Sequence, residues 1–374
     1  MSKEIKLMKG NEVLAEAAIR CGCDGYFGYP ITPQSEVMET LMMRRPWEET
    51  GMVVLQAESE IAAINMVYGA AGSGKKAMTS SSSPGISLMS EGISYIAGAE
   101  LPCLIVNVQR GGPGLGTIQP SQADYFQAVK GGGHGDYKLI VLAPSSVQEM
   151  NDFVDLGFEL AFKYRNPAMI LTDGALGQMM EKVELADFKP RWTNEEILEK
   201  SDSWATTGKL ASRKKNVVTS LVMASEEMEA NNLRFQEKYK AMEEQEVRYE
   251  TFECEDAEFV LVAFGTTSRV CQKSVHLARE KGLKVGLLRP ITLFPFPKLI
   301  IKELARKVKG FMSVEMSAGQ MVEDIKLSVY EAGSNARVNY FGRMGGIIPS
   351  PEEVVEALEE KFSWEISYGV KRSY

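Results

Sequence analysis

Short apolar runs alternate with segments of helical period along nearly the whole chain, and a pattern of that kind leaves few folds open. In the first half, residues 26–29, 52–55, 77–80, 103–108, 139–142 and 168–171 read as buried strands. Helical patterns separate them. One opens after Gly10-Asn11, with Val13, Leu14, Ala17, Ala18 and Cys21 at 3.6 spacing. Others cover 58–71 and 85–97, and a last one runs from a Ser146-x-x-Glu149 capping box to about residue 164. Pro33 is placed to begin the helix after the first strand. From residue 259 the alternation resumes, with strands at 259–264, 284–288, 310–314 and 337–341 and helices at 265–281, 297–308, 319–330 and 351–361. Strands taking turns with helices at this spacing predict parallel, doubly wound α/β sheets. Between the two series, residues 180–215 show no clear period, and 221–248 read as a long, charged, solvated connecting helix. The expected division is 1–180, a connector at 181–250, and 251–374.

Composition removes several classes of function. Lys and Arg total 42 against 50 Asp and Glu, a net charge of −8, which is the wrong sign for a nucleic-acid partner. No apolar run approaches the roughly 18 residues of a membrane span, and the first residues carry both charges rather than a signal stretch, so a cytoplasmic protein is expected. Five cysteines (21, 23, 103, 254 and 271) lack a C-x-x-C pair, which excludes a standard zinc or iron–sulfur site built from this chain alone. The two histidines, His134 and His276, are far apart. If the protein is an enzyme, a cofactor or another chain must supply much of the chemistry.

Three junctions between a strand and the next helix hold polar groups suited to a ligand. Thr32, in Tyr29-Pro-Ile-Thr-Pro33, offers a hydroxyl beside a helix N-terminus, where an anion is favoured; a rigid turn with Thr32 as N-cap is the alternative. Glu60 directly precedes Ile-Ala-Ala-Ile, where a helix enters the core and a carboxyl could trade protons near neutral pH; an exposed first-turn acid is the alternative. Arg110 follows the most apolar strand and opens the glycine-rich 111–117 loop, so it could hold a carboxylate by two prongs or pair with a neighbouring acid. His134, in a second glycine-rich loop, could line a pocket or stay structural. The near phosphate-loop match at Gly69–Lys76 fails, because Lys76 replaces the hydroxyl residue and the segment runs from helix to strand. Open α/β sheets bind ligands at strand C-terminal ends, so the convergence of Thr32, Glu60 and Arg110 is the informative feature.

The ordered motifs Tyr-Pro-Ile-Thr-Pro-x-Ser-Glu, Glu-Ser-Glu-Ile-Ala-Ala, Ser83-Pro-Gly-Ile-Ser-Leu-Met-Ser-Glu91 and Arg-Gly-Gly-Pro resemble the alpha subunit of 2-oxoacid:ferredoxin oxidoreductases. Phe264-Gly-Thr-Thr-Ser-Arg269, Leu288–Pro297 and Val314-Glu-Met-Ser-Ala-Gly-Gln320 are similar to that family's second half. The resemblance implies a thiamine-diphosphate pyrimidine-binding domain plus a transketolase C-terminal-like domain. It implies that Glu60 binds the aminopyrimidine, and that Thr32 and Arg110 bind the carboxylate and keto oxygen of the 2-oxoacid. It further implies partners: a beta subunit holding the diphosphate and Mg²⁺ through a Gly-Asp-Gly motif that this chain lacks, a gamma subunit, a small ferredoxin-like subunit with [4Fe-4S] clusters, and external ferredoxin, assembled as a dimer of hetero-oligomers. Coenzyme A would take the acyl group. The Arg110–Pro120 loop is similar to branched-chain (2-oxoisovalerate) enzymes and adds no second cation, while Gln34 stands where many relatives have a small hydroxyl residue. A 2-oxoglutarate-type subunit and a non-catalytic scaffold subunit are the alternatives.

Overall fold

The computed structural model describes residues 4–209, 213–363, 365 and 366. Its first eight strands are β1 (Glu4–Lys9), β2 (Gly25–Gly28), β3 (Val53–Gln56), β4 (Ala77–Ser81), β5 (Leu104–Gln109), β6 (Ile140–Leu142), β7 (Ala168–Asp173) and β8 (Met180–Leu185). The remainder are β9 (Tyr249–Phe252), β10 (Phe259–Val262), β11 (Val285–Pro290), β12 (Thr292–Phe294), β13 (Gly310–Glu315) and β14 (Arg337–Gly342).

The main sheet has the order β12-β6-β7-β5-β4-β2-β3 and is parallel except at its β12 edge. The second has the order β14-β13-β10-β11-β9, antiparallel only at β9. Both central strands β5 and β10 are buried along their length, as sheets covered by helices on both faces require. In the main sheet the chain leaves β2 toward β3 on one side and leaves β4 toward β5 on the other. The crevice between β2 and β4 is therefore a topological switch point, open at the strand C-terminal ends.

Strand β12 belongs by sequence to the second series, yet it pairs with β6 of the first sheet. Leu293, Phe294 and Phe296 follow it into the larger apolar cluster, which is continuous with Val260, Phe311 and Met321 of the second unit. The two halves thus share a core. A smaller cluster lies behind the second sheet around Phe259, Val275 and Phe362. The segment without clear period holds β8, which pairs with β1 as a separate two-stranded ribbon, and a short helix Asn194–Ser201 capped by Thr193. Helix Ser225–Gln245 is mostly exposed, and Phe235, Tyr239 and Met242 form its buried stripe.

Two local expectations change. The helix after β2 begins at Ser35 rather than Pro33, with Gln34 as its N-cap residue. Gln34 is drawn inward instead: its Nε2 donates to the Tyr29 carbonyl (3.2 Å) and its Oε1 accepts from Ser80 Oγ (2.5 Å), which also meets Tyr26 Oη (2.6 Å). At helix Val147–Tyr164, Ser146 Oγ accepts from the Glu149 N–H, but only this half of the capping box forms. The Glu149 carboxylate turns to the Ser145 N–H (2.7 Å) and to Arg289 of the second unit, a stronger, charged donor.

Candidate active site at the sheet crevice

Arg110 leaves the end of β5, where its N–H donates to Ser83 Oγ (3.0 Å) and its carbonyl accepts from the same hydroxyl (3.2 Å). That pair fastens the strand end to the first turn of helix Ser83–Gly98. The side chain is 7% exposed. Its Nη1 donates to the Thr32 carbonyl (2.8 Å), its Nη2 to the Leu115 carbonyl (3.0 Å), and its Nε meets no acceptor. Among the described residues no carboxylate pairs with it, so the alternative of a neighbouring acid is not what the structure shows. A guanidinium buried against carbonyl dipoles alone retains most of its charge for a ligand.

Glu60 is the first residue of helix Glu60–Gly72, which Ser59 caps by accepting the Ala62 N–H (3.2 Å). It is 6% exposed, and among the described residues no donor reaches its carboxylate. It abuts the same helix turn as Arg110. A Cβ added to Gly85 would lie 2.9 Å from Glu60 Oε1 and 2.0 Å from Ser81 Oγ, so glycine leaves the space the carboxylate occupies. Helix Ser83–Gly98 has no side-chain cap, and the hydroxyls of Thr79, Ser81 and Ser82 are buried without partners. The crevice therefore concentrates polar groups that the protein itself leaves unsatisfied, which is unusual for a folded interior.

A cavity of about 900 Å³ opens beside Arg110. The first unit lines it with Ser83, Pro84, Arg110 and Asp124, and the second with Met316, Ser317, Gln320 and Met344. Asp124 accepts from Asn107 Nδ2 (2.9 Å); burial pushes its carboxyl above the ordinary range, against the bonds from Ser83 and Asn107. The two units are stitched together here. Gln122 donates to the Phe264 carbonyl (2.7 Å) and accepts from the Met316 N–H (3.1 Å), while Asp173 accepts from Thr266 Oγ1 (2.6 Å). Glu315, wholly buried at the end of β13, orders the next loop. It accepts from Ser313 Oγ (2.6 Å), Ser317 Oγ (2.8 Å) and the N–H groups of Gln320, Met321 and Val322 (2.8, 3.1 and 3.0 Å).

The structure brings Thr32, Glu60 and Arg110 to one crevice. Thr32 meets Arg110 through its carbonyl, and its own side chain is exposed. His134 sits exposed on its loop and does not line the cavity. The near phosphate-loop segment ends a helix, with Lys76 donating to the Cys21 carbonyl (2.9 Å). Sequence reasoning about sites did not single out Asp124, Met316 or Met344. Of these three, only Met316 lies within a motif noted for its resemblance, Val314–Gln320. Among the described residues no cluster of His, Cys, Asp or Glu is arranged to hold a metal, and no helix is long and apolar enough to cross a membrane.

A thiamine-diphosphate cofactor fits this donor set, because an aminopyrimidine offers a ring nitrogen to a buried carboxylate that has no protein partner. The comparisons agree. Residues 16–252 match the family model for the pyruvate flavodoxin/ferredoxin oxidoreductase thiamine-diphosphate-binding domain, and 257–354 match core domain II of pyruvate:ferredoxin oxidoreductase. The chain belongs to the 2-oxoacid:ferredoxin oxidoreductase family, as an alpha-type subunit. It is 52% identical over 95% of its length, and 97% of the relative's, to the ketoisovalerate oxidoreductase subunit VorB of Methanothermobacter marburgensis. It is 36% identical, over 95% of its length and 99% of the relative's, to the 2-oxoglutarate synthase subunit KorA of Methanocaldococcus jannaschii. Among solved structures it is similar to a 2-oxoglutarate:ferredoxin oxidoreductase from Magnetococcus marinus with 2-oxoglutarate, coenzyme A and succinyl-CoA bound (TM-score 0.82, 28% identity). That match covers 96% of this chain but 65% of the neighbour, so the chain spans about two thirds of that protein's length. A split-gene transketolase shares the fold at 12% identity over 95% of this chain and 98% of that one (TM-score 0.59). Relatives named as subunits imply that this chain also works with partners.

Proposed function

We propose that this chain supplies the aminopyrimidine-facing half of the active site of a branched-chain 2-oxoacid:ferredoxin oxidoreductase. The reaction is oxidative decarboxylation of a 2-oxoacid such as 2-oxoisovalerate to acyl-CoA and CO₂, with electrons passed to ferredoxin. The observation that carries the reading is the pair of buried side chains, Glu60 and Arg110, that have no oppositely charged partner among the described residues and are set against the same turn of helix Ser83–Gly98.

Thiamine diphosphate, when bound, supplies the carbon nucleophile and the electron sink for decarboxylation. Glu60 holds the proton shared with the aminopyrimidine ring nitrogen, and its burial strengthens that contact over one in water. Arg110 receives the substrate carboxylate where it lines the cavity, while the Thr32 and Leu115 carbonyls keep the guanidinium fixed. The Thr32 hydroxyl, on the exposed side of the same turn, reaches the keto oxygen. A partner beta subunit holds the diphosphate with Mg²⁺, and a gamma subunit completes the assembly, a dimer of hetero-oligomers. A small subunit with [4Fe-4S] clusters relays single electrons to external ferredoxin, in the cytoplasm. The branched-chain assignment is supported by the similarity to the ketoisovalerate subunit and by a cavity whose described lining has Arg110 as its sole cation. A 2-oxoglutarate enzyme would need a second cation for the distal carboxylate.

The test uses the assembled complex with Glu60→Gln. Turnover of 2-oxoisovalerate with coenzyme A should fall at least about 100-fold, and thiamine-diphosphate affinity measured by calorimetry should fall too, with the melting temperature unchanged. Near-normal turnover would remove Glu60 from the site.

A further inference from the structure

We infer that Met316 and Met344, both carried by the second α/β unit, receive the hydrocarbon side chain of the substrate and set the enzyme's choice among 2-oxoacids. The inference rests on the function proposed above and names what that site selects.

Arg110 belongs to the first unit and fixes the carboxylate end of any 2-oxoacid in the cavity. The groove then runs toward the second unit, where the wall is the loop after β13 together with the segment after β14. That wall is rigid, as selection between substrates differing by a few carbons requires. The Met316 carbonyl accepts from the Gln122 N–H (2.9 Å) and Ser121 Oγ (3.3 Å), and the Met316 N–H donates to Gln122 Oε1 (3.1 Å), so its backbone is clasped on both sides by the first unit. Glu315 orders the residues that follow, and Tyr340 Oη donates to the Ser317 carbonyl from the neighbouring strand.

Met316, Ala318 and Met344 form the apolar part of that wall, beside Ser317 and Gln320. Met316 is 1% exposed, and the clasp fixes its backbone at the cavity edge. Met344 is 58% exposed at the mouth of the cavity, on a turn whose Gly345 and Gly346 pack against the Gly111–Gln119 loop. Thioether side chains suit branched hydrocarbon groups, since they adapt to irregular shape without offering a hydrogen bond. Asp124 is the sole acid among the described lining residues, and it disfavours a second carboxylate on the substrate. A site selecting 2-oxoglutarate would have to place a cation where these methionines stand.

The experiment measures kcat/KM of the assembled complex for 2-oxoisovalerate, pyruvate and 2-oxoglutarate. Met316→Ala should lower the preference for 2-oxoisovalerate over pyruvate by about tenfold, mainly through KM, because the branched group loses its contact. Met344→Arg should raise the 2-oxoglutarate to 2-oxoisovalerate ratio by tenfold or more. If the buried Met316 variant fails to assemble, Met344→Arg and Met344→Ala at the exposed position decide the matter. A wild-type complex that consumes 2-oxoisovalerate, with Met344 variants whose ratios match it, overturns the inference and leaves the proposed function standing. A wild-type complex that consumes none of the three acids overturns both.

Discussion

Replacing Glu315 by alanine should loosen the wall of the cavity. The carboxylate is wholly buried and among the described residues has no cation beside it; its partners are two hydroxyls and the first free N–H groups around the start of helix Met321–Glu331. Alanine strips the acceptor from the N–H groups of Gln320, Met321 and Val322 together. Each buried donor left alone costs ~1–3 kcal/mol, and an acid at a helix N-terminus adds ~0.3–1 kcal/mol. The hydroxyls of Ser313 and Ser317 can rotate to other acceptors, and water can enter the space, so we expect a net loss of about 3–5 kcal/mol rather than the full sum. Glutamine should cost less, ~1–3 kcal/mol, because its carbonyl can still face the three donors now met by Oε2 while its NH₂ opposes the Val322 N–H. A chain of two units sharing one core need not unfold in two states, so the readout is amide exchange at residues 320–322 rather than a single melting curve. Exchange there should quicken by roughly 10²–10⁴-fold in Glu315→Ala and by less in Glu315→Gln, at about 1.4 kcal/mol per decade. Protection equal to wild type in Glu315→Ala would show that Gln122, Ser121 and Tyr340 hold the loop unaided.

Arg110→Ala should raise KM for the 2-oxoacid ~10–100-fold with a smaller effect on kcat, and Arg110→Lys should recover only part, since lysine restores charge but not the two-pronged geometry; steady-state kinetics with an unchanged KM would exclude substrate contact. Asp124 bears on pH dependence. Burial raises its carboxyl in the folded state above the ordinary value, so the folded chain holds the proton more tightly than the unfolded one. Its stabilising contribution is complete below the unfolded value and is lost as pH rises through the folded one. Asp124→Asn should therefore flatten the curve of melting temperature against pH above about pH 4 and gain on wild type toward neutrality. Parallel curves for the two proteins would refute the assignment.

The strands and helices that position the crevice were legible because each is a local pattern. β5 opens on the apolar run 104–106, Ser146 is a recognisable cap, and helix Glu60–Gly72 turns apolar directly after its acid. Elements that depend on distant pairing were not legible. β12 is three residues between Pro290 and Pro295 and exists only as an edge for β6; β1 alternates but exposes Ile5 and Leu7, each 63%, so it lacks a buried face. The start of the helix at Ser35 escaped because Gln34 finds partners at Tyr29, just after β2, and at Ser80 on β4, which the local pattern does not announce. The second unit's share of the cavity was hidden for the same reason. Met316 reaches the site through bonds from Ser121 and Gln122, nearly 200 positions earlier, and periodicity carries no information across that distance.

What separates this crevice from an ordinary interior is the sign and incompleteness of its charges. Elsewhere several buried charges are paired or fully hydrogen-bonded: Arg20 meets Glu16 and Glu4, Arg289 meets Glu149 and Glu250, and Glu315 is satisfied by five donors. At the crevice Glu60 and Arg110 flank one helical turn and no ion pair joins them among the described residues. An ion pair between the two would stabilise the fold and occupy the contacts a ligand needs. Holding them apart costs stability and keeps both valences open, an anion's site and a proton-sharing carboxylate on one rigid turn. That arrangement is expected of a chain that binds two ligand groups side by side, and it is not expected of a scaffold, which would gain by closing the pair.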